Sequence, residues 1–219
     1  MHSLSRGGIM RYKSKRQEGK KELIWPYILM ALMLFLGIIF GVMATKVLQQ
    51  DQRSELTAYL ESYFNFVGRN DALQRANSSL LKEALNLNLL KTTLPIVMAS
   101  LSLVGMPLIA IIGFLRGFIV GFGGAFLIRE MQWRGGMVFL AGLLPQNIFL
   151  IPGLVILGGA AIILSMAIIS ALWGSRRQPL KRELQEFFGR TAVGLLVILL
   201  GCFMEAYVTP GFLRLLVRL

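Results

Sequence analysis

A long apolar block, residues 136–173, constrains the fold of this chain more than any other feature. About 20 helical residues suffice to cross the hydrocarbon core of a bilayer, so the block can span a membrane at least once. Four residues of a different kind interrupt it: Pro145, Gln146, Asn147 and Pro152. Lipid satisfies neither a carbonyl that proline leaves unbonded nor a side-chain amide. The interruption therefore marks either a packed structural break or the lining of a functional cavity.

The composition sets the class of protein. The chain is 55% hydrophobic and 16% charged, with a mean hydropathy of +0.65, far from the average of soluble domains. The net charge of +12 would suit a nucleic-acid partner if it formed one soluble patch. The basic residues instead lie at the ends of apolar segments, where they act on topology and on anionic lipids. We therefore predict an all-α, polytopic membrane protein that contacts anionic lipids and no nucleic acid.

The distribution of charge predicts the topology. Residues 1–24 are strongly basic, which predicts a cytoplasmic N-terminus, and the loop at residues 174–190 is basic as well. Five transmembrane helices place both on the cytoplasmic side, whereas six place the loop outside. Five spans require that the segment at residues 136–152 is broken or re-entrant. The predicted order is a basic tail (1–24), a first transmembrane helix (25–45), an extracytoplasmic region (46–91), a four-helix transmembrane region (92–208) and an external C-terminal tail (209–219).

The extracytoplasmic region has the pattern of two amphipathic helices. Apolar residues recur at helical spacing and form one stripe, which a Gly-Arg-Asn-Asp sequence ends before a second stripe begins. The two stripes can pack on each other, lie on the bilayer surface, or form a docking surface for a partner protein. The members of the first stripe, our candidate docking residues, are Leu56, Tyr59, Leu60, Tyr63, Phe64 and Val67.

Small residues recur along the third predicted span, residues 115–128, and just before it. Gly113, Gly117, Gly121 and Gly124 lie on nearly one face of a helix. Small residues allow two helices to approach closely in a membrane. Packing within one chain is the more general use of such a face, and a homodimer seam is the alternative.

Two ionisable residues lie nearest to membrane depth. Arg116 falls at the junction of the second and third predicted spans, residues 93–114 and 115–128, and Glu205 lies near the external end of the last span. Both can extend toward a membrane edge. The five-span plan places them on opposite sides, so we expect edge charges that do not pair.

Catalytic patterns are missing from the sequence. The one histidine, His2, and the one cysteine, Cys202, form no triad and no metal-ligand set. No HExxH or phosphate-binding GxxxxGK[ST] motif occurs. We therefore predict a protein that is not an enzyme and that carries no catalytic, metal or cofactor site.

Three stretches together resemble the stage II sporulation protein M family: GFLRGFIVGF at 113–122, LLPQN at 143–147 and IP at 151–152. The resemblance implies an integral membrane protein of the forespore septum, which acts during engulfment. It also implies sporulation proteins D and P, two peptidoglycan hydrolases, as partners. The leading hypothesis is a scaffold that recruits and organises these hydrolases. The alternative is a permease or channel subunit that moves a small solute through the broken segment.

Overall fold

The computed structural model describes residues 4–68, 79–173 and 180–212, with side chains at 24–62, 79–173 and 180–212. These residues form helices, with no strand among them. Three π-helical turns occur among them. In chain order the elements are α1 (Leu4–Ala44), α2 (Gln50–Gly68), α3 (residues 79–85, π-helical Asn86–Thr93, then Leu94–Ser100), α4 (Gly105–Val138), a π-helical turn (Phe139–Leu143), α5 (Leu144–Leu172) and α6 (Leu180–Phe203, then π-helical Met204–Val208).

Among the described residues, three helical stretches are long and apolar enough to cross a membrane: Ile24–Ala44, Gly105–Leu172 and Leu180–Phe212. The middle stretch, of 68 residues, reverses direction at Gln132, where φ is 49°. After the reversal, Gly135 lies against the backbone of Leu127. The stretch is therefore an antiparallel pair of arms, one on each side of Gln132.

The segment predicted to be broken or re-entrant has a milder irregularity. A π-helical turn, Phe139–Leu143, leads directly into the continuous helix α5. Pro145 occupies the first turn of α5, where a missing N–H breaks no helical bond, and Pro152 is accommodated inside the helix. The chain reverses earlier than expected, at Gln132, and the absence of a side chain at Gly135 permits its close approach to Leu127 in the arm before the reversal.

A tight turn at residues 101–104 separates α3 from α4, inside what the sequence suggested was one span from 93 to 114. The backbone N–H of Val104 donates to Ser102 Oγ at 3.3 Å. Gly105 permits the turn because a Cβ there would overlap the carbonyl oxygen of Ala99. Arg116 consequently lies well inside α4 rather than at a junction between spans.

The glycine face of α4 packs against α1 of the same chain. A Cβ at Gly117 would overlap the carbonyl oxygen of Leu34, and one at Gly121 would overlap that of Ile38. Since both sets of numbers increase together, α1 and α4 run parallel. Gly37 and Gly41 of α1 make reciprocal contacts with the α4 backbone, Gly113 lies against Met30, and Gly124 lies against the Phe139 ring.

The core of the bundle is α5. Its middle, residues 157–165, is buried throughout, with Leu157, Ala161 and Ile162 at 0% exposure. Helix α6 packs antiparallel on α5, where Gly153 lies against Ile198 and Gly201 lies against Leu150. The parallel α1 and α4 and the antiparallel α5 and α6 thus enclose one continuous apolar core.

Candidate functional site

Three π-helical turns, distant in sequence, meet at one cavity of about 310 Å³. Leu87 comes from the turn in α3, Gly142 and Leu143 from the turn before α5, and Glu205 from the turn after α6. A π-helical turn inserts an extra residue, so it redirects side chains, and such turns are frequent at functional sites. This convergence makes the cavity the candidate functional site of the described part of the chain.

Oxygen atoms dominate the polar lining of the cavity. Glu83 and Glu205 contribute carboxylates, Gln146 an amide and Thr209 a hydroxyl. Thr209 is only 7% exposed, and neither its Oγ1 nor Gln146 Oε1 has a hydrogen-bond partner within the described residues. Buried polar atoms without partners are uncommon and costly. Both oxygens are therefore enclosed in the wall of the cavity, with hydrogen-bonding capacity that the described residues leave unused.

A buried asparagine links the two charges that the sequence analysis singled out. The guanidinium of Arg116 donates to Asn88 Oδ1 at 2.8 Å, and Asn88 Nδ2 donates to Glu205 Oε2 at 3.2 Å. Asn88, which is 4% exposed, also donates from Nδ2 to the Ala84 carbonyl at 2.9 Å. One amide thus bridges a cation and an anion in the low-dielectric interior, where unpaired charges are expensive.

This bridge corrects the prediction that Arg116 and Glu205 lie apart at opposite membrane edges. The prediction was wrong because it treated 93–114 as one span, which put Arg116 at a membrane edge. The turn at 101–104 instead carries Arg116 to the level of Asn88 on the adjacent helix α3. The sequence analysis did not identify Asn88, although its position within the leucine-rich stretch 85–90 was a detectable signal.

The two amides after Pro145 serve different surfaces. Gln146 lines the polar cavity. Asn147, which is 7% exposed, lines a separate and larger apolar groove and donates from Nδ2 to the Leu143 carbonyl at 2.6 Å. Asn147 therefore satisfies a backbone group next to the π-helical turn, and Gln146 contributes an amide oxygen to the site. Asn147 Oδ1, like Gln146 Oε1, has no hydrogen-bond partner among the described residues, so the two amides differ in the space that they line.

Helix α2 lies over the cavity with one face inward and one outward. Leu60 lines the cavity and Leu56 is half-buried, whereas Tyr59 is 72% exposed. An ion pair between Arg53 and Glu130 connects α2 to α4 two residues before the reversal at Gln132. The candidate docking residues Tyr63, Phe64 and Val67 lie outside the residues whose side chains are described.

Within the described residues, no group of three or more His, Cys, Asp or Glu side chains is placed to hold a metal ion. The charged residues at the site are Glu83 and Glu205, which line the cavity, and Arg116, which is linked to Glu205 through Asn88. Glu205 also lies close to Cys202, whose Sγ is 3.6 Å from the Ala84 carbonyl oxygen.

Comparison with known proteins identifies the family. The model of the family described as stage II sporulation protein M matches residues 30–210, well over half of the chain, including every residue of the cavity lining. Searches of the curated proteins and of the solved structures find no match. The chain therefore belongs to the stage II sporulation protein M family and is a sporulation membrane protein.

Proposed function

We propose that this protein is a non-enzymatic membrane scaffold that recruits and organises septal peptidoglycan hydrolases during engulfment of the forespore. The observation that carries the proposal is α2, a helix that is held on the bundle by one face and leaves the other open. Membership of the sporulation family supports the biological setting. The sequence resemblance suggests sporulation proteins D and P as the hydrolases.

The proposal includes a multi-pass topology of five helices: α1, α3, the two arms on either side of Gln132, and α6. A cytoplasmic N-terminus then puts α2, Gln132 and the C-terminal tail outside, at the septal wall. Two helices cross a membrane in the same direction when one span lies between them in sequence. The parallel packing of α1 and α4 supports this order, because α3 is the one span between them. The Arg53–Glu130 ion pair also supports this topology. It joins α2 to α4 two residues before Gln132, and the topology places both α2 and Gln132 outside.

Labelling of single cysteines tests this topology. Gln178→Cys and Phe212→Cys would each be introduced on a Cys202→Ser background, and a membrane-impermeant thiol reagent applied to intact cells. We expect labelling at position 212 and none at 178 until the membrane is permeabilised. Labelling of both from one side would contradict the five-span arrangement and with it an external α2.

The outward face of α2 has the chemistry of a docking surface. Asp51, Glu55 and Tyr59 follow at intervals of four residues, so they lie on one face, and all three are exposed. Tyrosine is among the residues that most often dominate binding energy at interfaces. The face is acidic and aromatic, which suits a partner surface that presents basic side chains around an apolar pocket.

Co-purification with sporulation protein P from detergent-solubilised membranes tests the docking surface. We expect Tyr59→Ala to weaken recovery strongly, since an interface hot spot contributes about 2 kcal/mol or more. The double reversal Asp51→Lys and Glu55→Lys should act in the same direction. Leu196→Ala is the matched control, because Leu196 is an exposed residue (60%) of a different helix, α6. Unchanged recovery with both α2 variants, in protein that still inserts, would contradict the proposal.

A solute-binding role is the second candidate function, and the cavity favours it. The two carboxylates of the lining, Glu83 and Glu205, suit a small cationic solute, and Gln146 and Thr209 line the same cavity. The test is flux of small organic cations into liposomes that contain the purified protein. Flux that Gln146→Leu and Thr209→Val both abolish would establish this role. Flux that is equal in wild type and both variants would exclude the cavity as its path.

A further inference from the structure

A groove of about 1170 Å³ runs along the outside of the bundle between α1 and the two arms. Its walls are almost wholly apolar and include Ile38 and Val42 of α1, Val120 and Ala125 of α4, and Ile148 and Ile151 of α5. Gly121 and Gly124 of α4 also line it, between the walls formed by α1 and α5. The volume of about 1170 Å³ is above the roughly 300–1,000 Å³ typical of small-molecule sites. The groove is thus large enough for long hydrocarbon chains.

Both charged residues of the groove are basic and lie at the same end. Lys46 follows the end of α1, and Arg129 lies just before the reversal at Gln132. Both are exposed, and the guanidinium of Arg129 is positioned by donating from Nη1 to the Thr45 carbonyl at 2.7 Å. The neighbouring acid, Glu130, is paired with Arg53. One end of the groove therefore carries positive charge at the level where helices end and lipid headgroups begin.

We propose that this groove binds one anionic phospholipid, with its phosphate against Lys46 and Arg129 and its acyl chains along the apolar walls. The charge selects the headgroup, since each Lys or Arg near a membrane surface favours an anionic lipid. A second copy of the chain fits less well. The exposed membrane faces that it could offer, such as those around Phe35, Leu196 and Phe203, are apolar and would leave both cations without a counter-charge.

Native mass spectrometry of the full chain, released from detergent micelles, tests the site. The micelles would contain equimolar phosphatidylglycerol and phosphatidylcholine with identical acyl chains. We expect the wild type to retain one phosphatidylglycerol, with a preference of about fivefold for each basic side chain, hence roughly 25-fold for two. The double variant Lys46→Gln and Arg129→Gln should reduce this preference to near unity.

Two further variants separate the parts of the site. Ile148→Trp places bulk inside the groove, so it should reduce retention of both lipids. Arg129→Lys keeps the charge and should preserve most of the preference, which also covers the case in which Arg129→Gln fails to fold. Arg134→Gln is the matched control, since Arg134 is exposed at the same end of the bundle and does not line the groove.

Three results would overturn the proposal. The first is equal retention of both lipids by the wild type. The second is an equal loss of preference in Arg134→Gln and in the double variant, which would indicate a diffuse surface charge. The third is unchanged retention in Ile148→Trp, which would place the lipid outside the groove. Circular dichroism and gel filtration of each variant verify that the bundle is intact.

Discussion

The seam between α1 and α4 and the cavity between the π-helical turns show opposite ways of joining helices in a membrane. In the seam, glycines bring two regular helices into backbone contact, and no room remains for a side chain at Gly117 or Gly121. At the cavity, the helices widen into π-helical turns, and polar side chains meet across about 310 Å³ of space. The seam has no polar side chain at these contacts, whereas the cavity holds two carboxylates, an amide and a hydroxyl.

The difference shows which contacts depend on shape and which depend on charge. At the seam, dispersion between closely packed backbones stabilises the helix pair. This close approach is possible because the glycines have no side chains. At the cavity, Arg116, Asn88 and Glu205 depend on one another, because each satisfies a group that would otherwise be buried alone. The seam should therefore respond to added volume and the cavity to removed charge.

The largest effect is expected from breaking the charge bridge. Arg116→Met should lower the free energy of unfolding by about 2–3 kcal/mol, because it leaves the buried Asn88 Oδ1 without its charged donor and the half-buried Glu205 without a nearby cation. Combining it with Glu205→Met should restore much of the loss, since both charges are then absent. Reversible unfolding in mixed micelles, followed by far-ultraviolet circular dichroism, measures both. Strictly additive losses would show that the two residues are not coupled.

The seam should respond to one methyl group. Gly117→Ala places a Cβ against the Leu34 carbonyl and should cost about 1–3 kcal/mol of unfolding free energy. Gly123→Ala, on the same helix, is the matched control because its Cβ would have its nearest neighbour, Leu143 Cδ1, at 3.9 Å. That variant should be neutral or slightly stabilising, by up to about 1 kcal/mol. Equal effects in the two variants would show that the contact with α1 leaves room for a methyl group at Gly117.

The adjacent amides Gln146 and Asn147 allow the effects of replacing a bonded and an unbonded amide by leucine to be compared. Asn147→Leu removes the hydrogen bond from Nδ2 to the Leu143 carbonyl together with a buried Oδ1 that has no partner in the described residues, so it should destabilise the protein by no more than about 1 kcal/mol. Gln146→Leu removes a buried oxygen that has no partner in the described residues, so we expect no loss, or a gain of up to about 1 kcal/mol. Thermal unfolding of both variants in one detergent provides the measurement. A larger loss for Gln146→Leu would mean that its amide has a structural partner.

The smallest effect on stability is expected at the tether of α2. Arg53→Gln removes the partly exposed ion pair with Glu130 and should cost no more than about 1 kcal/mol. Hydrogen exchange of the α2 amides should nevertheless accelerate, because the helix loses a contact to the bundle. Arg182→Gln, which breaks the exposed pair with Glu186 on α6, should leave exchange in α2 unchanged. Unaltered exchange in Arg53→Gln would show that other contacts hold α2.

The helical, membrane-spanning class was predictable from the sequence, and so was the face formed by Gly113, Gly117, Gly121 and Gly124. A spacing of three or four residues places side chains on one face of a helix whatever its neighbour is. The neighbour itself, α1, was not predictable from that spacing. The reversal of the chain also escaped prediction, since Gln132 is neither glycine nor proline and non-glycine residues seldom adopt positive φ.

The apolar helices of this chain, their small-residue faces and their basic ends follow from the sequence, because these properties are local and periodic. Membership of the stage II sporulation protein M family follows from the sequence as well. The link from Arg116 to Glu205 through Asn88 appears only in the tertiary structure. The same is true of the placement of Gln146 at the cavity and Asn147 at the groove. The physical reason is distance along the chain. Contacts between residues far apart in sequence depend on where turns such as 101–104 and Gln132 fall, and a shift of a few residues there changes every partner.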